Sequence, residues 1–327
     1  MTNRIPLAHL PTPIEPLSRL TTLLQGPQLF IKRDDLTGLG LGGNKTRKLE
    51  YLTADALEQG CRTLITTGAV QSNHCRQVAA AAARLGLGCI LVLGGPDPGT
   101  RQGNLLLDEL SGAKLVFVPK EERDQRLQQA FAQAEEDGMQ PYLIPYGGSN
   151  PVGVQGYLQA MQELQEQALK PDWIVLASSS GGTQAGMVLG GKQTGFTGRI
   201  LGISVDKLAT ELIQTIIALA NQTATYLNMG VEITPQDVFV NDAYCQAGYG
   251  NLQPAEVEAI QLFARTEGIL LDPVYTGRAA AGLIDLIRQG FFRRDEAVLF
   301  WHTGGIPALF AEPYASALLG SSSLSKQ

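Results

Sequence analysis

Gly42-Gly43-Asn44-Lys45-Thr46-Arg47-Lys48 places three cations in the first turn of a predicted helix. The helix follows from Asn44, a residue type that caps helices well, and from Leu49, Leu52 and Ala56, which keep helical spacing up to Gly60. This is the unfavourable end for positive charge. A helix N-terminus is itself partly positive, and its free N–H groups prefer an anion. Lys45 and Lys48 are three apart and share a face. Two lysines on one face, behind two glycines, point to an anionic ligand docked there. One lysine can hold a phosphate by charge. The other, desolvated beside a second cation, can lose its proton and act as a nucleophile. A solvated basic helix start that binds nothing is the competing reading, and this stretch alone does not decide between them.

Outward from this stretch, short apolar runs alternate with helical patterns. Strands are expected at 29–32, 63–67, 89–93, 114–118, 173–177, 200–205 and 297–301. Helices are expected at 45–59, 76–85, 102–110, 123–136, 152–168, 183–190, 208–226, 255–266 and 278–289. Such alternation predicts parallel sheets with helices on both faces. The strands are rich in Val, Ile and Leu without strict alternation, as when both faces are buried. Pro145–Pro151 (PYGGSNP) is the clearest internal break, and it separates a first α/β set from a second.

The 327 residues suggest two domains at roughly 150 residues each. A hydrophobic content of 44% with 17% charged residues is ordinary globular composition. A net charge of −6 argues against nucleic acid or an anionic membrane as the main partner. No apolar run approaches the roughly 20 residues of a membrane span. The N-terminus lacks the apolar core of a signal peptide. With Pro6, Pro11, Pro13 and Pro16 it reads as an extended leading segment, and the cytoplasm is the expected compartment. Cys61, Cys75, Cys89 and Cys245 form no Cys-x-x-Cys pair, and His9, His74 and His302 have no metal-ligand spacing, so no metal site is expected. The tail Gly320–Gln327 (GSSSLSKQ) has the composition of a disordered segment.

Three strand-to-helix junctions carry small, polar, glycine-containing loops: Thr67–His74, Ser178–Thr183 and His302–Gly305. Ligands of open α/β sheets bind where such loops meet, at the carboxyl ends of strands. Ser180-Gly181-Gly182-Thr183 opens a helix and suits a phosphate, because glycines let backbone N–H groups approach an anion. It is neither a Walker A loop nor a dinucleotide fingerprint, and a plain Gly-rich turn is the alternative. Ser72 and Asn73 can cap the alanine-rich helix behind them or bind a carboxylate, and the two roles are compatible. Tyr275, in Leu271–Gly277 (LDPVYTG), is a core aromatic, a ring-stacking partner or a proton donor; periodicity does not choose.

In order, GGNKTRKLEY, QSNH, SSSGGTQAG, DPVYTG and HTGG resemble the pyridoxal-phosphate enzymes of the 1-aminocyclopropane-1-carboxylate deaminase and D-cysteine desulfhydrase family. The resemblance runs from Pro11 to Ala308. It implies the α/β fold type II, similar to tryptophan synthase β, with two parallel-sheet domains and the site between them. It implies a small domain at 48–155, a large cofactor-binding domain at 1–47 and 156–327, a homodimer, and a small amino-acid substrate. It makes Lys45 the Schiff-base lysine. Lys48, Ser180, Gly181, Gly182 and Thr183 become the phosphate site. Asn73 becomes the partner of the cofactor's ring hydroxyl, and Tyr275 its stacking ring. Ser72 resembles the serine that binds the substrate carboxylate, and Tyr249 the second active-site tyrosine. Lys45, Ser72, Tyr249 and Tyr275 are thus the expected catalytic set. Ser72, Asn73, His74 and Tyr249 are the expected substrate contacts.

Within the family the two activities differ physically. The cyclopropane substrate has no Cα hydrogen, whereas D-cysteine needs only Cα deprotonation and loss of a thiol. Deaminases resemble one another in having Glu after the stacking tyrosine, Leu before the late Gly-Gly and Gln after the Ser-Asn pair. This chain has Thr276, Thr303 and His74 there, which favours the desulfhydrase. Thr303 is expected near the cofactor's ring nitrogen, with Thr276 at the same end; a hydroxyl there holds that nitrogen less protonated than a carboxylate does. Elimination from another β-substituted amino acid such as L-cysteate, a non-catalytic amino-acid sensor and a nicotinamide oxidoreductase are the other readings. Retention of Lys45, Ser72 and both tyrosines opposes the sensor, and the missing fingerprint opposes the oxidoreductase.

Overall fold

The structure, a computed structural model, describes residues 3–320; the expectation of disorder for 321–327 lies outside them. In chain order the elements are β1 (Ile14–Pro16), α1 (Ser18–Leu24), β2 (Gln28–Arg33), α2 (Lys45–Glu58), β3 (Thr63–Ala69), α3 (Asn73–Leu85), β4 (Gly88–Gly94), α4 (Gly103–Leu110), β5 (Lys114–Val118), α5 (Arg123–Glu136), β6 (Pro141–Leu143), α6 (Pro151–Glu166), β7 (Trp173–Ser178), α7 (Gly182–Thr194), β8 (Arg199–Ser204), α8 (Ala209–Tyr226), β9 (Phe239–Asn241), α9 (Pro254–Glu267), α10 (Thr276–Arg288), β10 (Ala297–His302) and α11 (Tyr314–Gly320). Every expected strand and helix is present, with ends moved by a few residues. The unanticipated strands β1, β6 and β9 have three residues each, too few to show a pattern.

Two sheets result. One has the order β5-β4-β3-β6 and the other β1-β2-β10-β7-β8-β9. All neighbours are parallel except β1 and β2. Residues 17–27 join that pair, slightly fewer than the dozen or so that a parallel crossover needs. The leading segment is therefore not simply extended, since it supplies β1 and α1. The expected break at Pro145–Pro151 does fall between the two sheets.

The runs β3 and β7 are buried on both faces, which explains their lack of alternation. On the larger sheet one core gathers Leu29, Ile31, Val175, Ile203 and Phe300 against α9 and α10. The other gathers Ile174, Leu176, Leu299 and Trp301 against α6, α7 and α8. The smaller sheet packs Leu64, Leu91 and Leu93 against Val78, Ala79 and Ala82 of α3, and Leu7 from the N-terminal segment joins this core. At Gly186 of α7 a Cβ would lie 2.6 Å from Val154 O, so α6 and α7 touch backbone to backbone.

Arg47 belongs to this architecture. It is fully buried and forks onto Asp34 (2.9 and 3.0 Å) and Glu163 (2.9 Å). Asp34 also accepts from Trp301 Nε1 at 2.8 Å and Tyr157 Oη at 2.5 Å. Burial opposes ionisation of Asp34, but Arg47 and these donors hold its carboxyl below the usual range. The network ties α2 to α6 and the large sheet, and with it fixes where Lys45 and Lys48 point.

Candidate active site

The carboxyl ends of β3, β7 and β10 meet the start of α2 at a cleft between the sheets. The cleft holds about 600 Å³ of space, its open mouth included, which is within the range of small-molecule sites. Lys45 and Ser72 line it, as do Asn73 and His74. Ser180, Gly181 and Thr183 line the β7 side, and Tyr275 and Thr303 close it. The three loops singled out in the sequence therefore share one site.

Lys45 and Lys48 form no ion pair among the described residues. Burial lowers the Lys45 ammonium to about 8. Lys48 is fully buried, and burial, then the charge of Lys45, push it well below the usual lysine range. Its Nζ donates to Gly147 O at 3.0 Å and Ser149 Oγ at 3.4 Å. Lys48 lies just beneath the start of α7, where a Cβ on Gly182 would sit 2.8 Å from its Nζ. Gly181 precedes this helix at φ +80° and no side chain caps it. Free helix N–H groups beside an unpaired buried cation form an anion site. The residues present fit a phosphate group held by Lys48 and the α7 N-terminus, with Lys45 at the open side.

Asn44, expected as a cap, does not cap α2. Its backbone is already helical (φ −59°, ψ −23°), and its Nδ2 donates to Thr183 Oγ1 at 3.0 Å. It joins α2 to α7 instead. Ser72 does cap α3, accepting from Cys75 N at 3.2 Å, and it also faces the cleft. Helix α3 begins at Asn73, earlier than its apolar spacing suggested, because Asn73 and His74 form its polar first turn. Thr66 donates its only proton to Ile144 O at 2.9 Å, so His74 Nε2, also at 2.9 Å, must donate to it. That assignment leaves His74 Nδ1 as a buried acceptor without a partner among the described residues. Burial, Lys45 and Lys48 hold the ring well below the usual imidazole range, so it is neutral.

Tyr249 does not line the cleft. It stands behind Tyr275, with hydroxyls 2.8 Å apart and rings edge to face at 5.8 Å. Burial raises both phenols well above their usual range, so both keep their protons. Thr276 is a correction: it does not face the cleft. It is fully buried, donates to Asp272 Oδ1 at 2.8 Å and accepts from Asp272 N at 2.7 Å. The first turn of α10 uses that hydroxyl locally. Tyr146 lines the cleft, with Arg123 4.9 Å above its ring, and was not anticipated. Its segment, Pro145–Pro151, looked like a break only; the tyrosine inside a glycine-rich stretch was the available signal. No carboxylate lines the cleft among the described residues.

The model of the pyridoxal-phosphate dependent enzyme family matches residues 5–304. A D-cysteine desulfhydrase of Yersinia enterocolitica serotype O:8 is 45% identical over 318 residues, 94% of this chain and 95% of its own. One of Klebsiella pneumoniae subsp. pneumoniae is 42% identical over 318 residues, with the same 94% and 95% covered. A solved structure of an ACC deaminase homologue is 39% identical with a TM-score of 0.90, covering 98% of this chain and 96% of that one. A fungal L-serine ammonia-lyase from Rhizomucor miehei, 16% identical with a TM-score of 0.68 over 98% and 99% of the two chains, shares the fold alone. The fold is the type II fold expected from the motifs. The family match covers most of the chain, and the protein is therefore a member of the pyridoxal-phosphate dependent enzymes.

Proposed function

We propose that the protein is a D-cysteine desulfhydrase, converting D-cysteine and water to pyruvate, hydrogen sulfide and ammonia. One observation carries the reading: Lys45, desolvated to about 8, faces the Ser72–Asn73 helix start across the cleft from the α7 anion site. The relatives at 42–45% identity support the choice of D-cysteine.

Bound pyridoxal phosphate supplies the electron sink for negative charge at Cα. Lys45 holds it covalently and moves the Cα proton. Lys48, Ser180, Gly181, Gly182 and Thr183 hold the phosphate. Asn73 and Tyr275 fix the ring, and Thr303 meets its nitrogen end. Ser72 and the free N–H groups of α3 bind the substrate carboxylate, while His74 and Tyr249 bound the space for its β-substituent. A serine hydroxyl without an adjacent base is a poor nucleophile, which suits Ser72 to binding. The cleft around these groups excludes bulk water, so that the thiolate leaves into a shielded space.

We place the small unit at 48–155 and the large one at 1–47 with 156–327, Leu7 reaching across to the small core. The chain is proposed to act as a homodimer in the cytoplasm; four free thiols suit a reducing compartment. No helix is long and apolar enough to cross a membrane among the described residues. Deamination of 1-aminocyclopropane-1-carboxylate is the second reading, favoured by the 39% identical structure. Pyruvate and sulfide release from D-cysteine, L-cysteine, L-cysteate and the cyclopropane amino acid tests the proposal. D-cysteine should be consumed fastest by far, and a cyclopropane rate equal to it would overturn the choice.

A further inference from the structure

Asn104, in the first turn of α4, is fully buried beside the cleft and touches neither the proposed substrate nor the cofactor contacts except through Asn73. Its Nδ2 donates to the backbone oxygen Gln71 O at 3.0 Å and to Asn73 Oδ1 at 2.8 Å. A backbone carbonyl can only accept, so the Asn104 atom facing it is the nitrogen. The Asn73 atom facing that nitrogen is then the oxygen. The orientation of the second amide is thus dictated by a main-chain carbonyl through the first.

The Asn73 Nδ2 consequently turns the other way. It makes no hydrogen bond among the described residues. It lies against Gly305, where a Cβ would come within 2.5 Å of it. Helix α4 is itself held to the same loop: Asn104 N donates to Gln71 Oε1 at 2.9 Å, and Gln71 Nε2 to Gln102 O at 3.0 Å. The loop and the helix start therefore form one rigid piece around the amide.

We propose that Asn104 is a positioning residue which locks Asn73 with its donor, not its acceptor, towards the cleft, so that Asn73 favours an anionic oxygen there. The proposal rests on the reading of Asn73 as a contact of the cofactor's ring oxygen. A flipped Asn73 would present a carbonyl oxygen to that oxygen and repel its anionic form. Residues that orient a direct contact typically matter 10- to 100-fold (on the order of metal-site outer shells).

The test is a double-mutant cycle on the holoenzyme with Asn104→Asp, which keeps the volume and loses the donors. Two quantities are read: the dissociation constant of pyridoxal phosphate, and the pH midpoint of the visible band of bound cofactor. Asn104→Asp should weaken the cofactor roughly 10- to 100-fold and move the midpoint. In an Asn73→Ala background it should change affinity by no more than about twofold. An equal loss in both backgrounds, or no loss in the single variant, overturns the proposal. If Asn73→Ala alone changes neither quantity, the reading of Asn73 itself fails and the proposal with it. Should Asn104→Asp not fold, Asn104→Ser, smaller and with a single donor, replaces it in the same cycle and must give the same pattern.

Discussion

Replacing Lys48 by methionine should leave the free protein almost as stable as before and yet cost most of its grip on the cofactor. In the free protein the Nζ has one good hydrogen bond, to Gly147 O at 3.0 Å, and a long one to Ser149 Oγ at 3.4 Å. Losing the first costs about 0.5–1.5 kcal/mol. Removing a buried cation that has no carboxylate partner and lies close enough to Lys45 to be repelled offsets that loss. Methionine fills a similar volume with little strain. The net change should be within about 1 kcal/mol. With cofactor the comparison changes. A charge-assisted bond to phosphate is worth about 1.5–3 kcal/mol, or roughly 10- to 150-fold in the dissociation constant. At a cofactor concentration on the order of 1,000 times the wild-type dissociation constant, ligand stabilisation is about 4 kcal/mol. The variant would then keep about 1–3 kcal/mol of it, a loss of roughly 3–10 °C in the melting temperature of the holoprotein. The assay is thermal melting with and without cofactor, alongside a cofactor titration. An unchanged dissociation constant would refute the phosphate role. An equal fall in both melting temperatures would show that Lys48 serves the fold.

Three further outcomes follow from the same geometry. Because burial lowers Lys45 to about 8, covalent uptake of cofactor by the free protein should rise about tenfold per pH unit below that value and level off above it; a flat stopped-flow profile would contradict this, and Lys45→Ala should abolish the visible band. Arg47→Met should destabilise by about 3–5 kcal/mol in denaturant melts, because it strands Asp34 and Glu163. Asp34 is held below its unfolded value of about 3.9, so its contribution is present above that pH and is lost as pH falls through the lower folded value; in Arg47→Met burial then dominates and acid unfolding should begin at higher pH. Gly182→Ala puts a methyl group 2.8 Å from Lys48 Nζ; it should weaken cofactor binding with the large core intact, and unaltered binding would separate Lys48 from the α7 cradle.

The cleft was legible in the sequence because its contacts sit at helix starts, where a few polar and glycine residues stand out against apolar runs. Ser72, Asn73, Ser180 and Thr303 were found in this way. The misses have a common physical origin. A side chain's type is visible in sequence, but not whether a local neighbour has already used its hydrogen-bonding capacity. Thr276 looked available and is used by Asp272, four residues earlier. Asn44 looked like a cap and reaches Thr183 across the cleft. Tyr146 and Asn104 gave no periodic signal, because one comes from a turn and the other from a short helix in the first α/β set. The loss of Thr276 leaves the argument against a carboxylate at the ring resting on Thr303 and on the carboxylate-free lining.

The three cations of the opening turn end in three chemical states, and their surroundings alone separate them. Arg47 meets two carboxylates and remains a cation inside the core. Its fork fixes α2 against α6, which sets the height of the next turn relative to α7. Lys48 is buried as deeply but meets only a carbonyl and a hydroxyl. It therefore carries an unmet demand for an anion next to helix N–H groups that share that demand. Lys45 has no such neighbours, and burial alone brings it near neutrality at physiological pH. Exchanging Arg47 and Lys48 would retain the composition and the net charge. It would still give a point charge to a fork-shaped carboxylate site and a planar fork to a single phosphate cradle, which these two side chains do not serve interchangeably. The order Lys45, Arg47, Lys48 is thus a division of one helical turn into a nucleophile, an anchor and an anion holder.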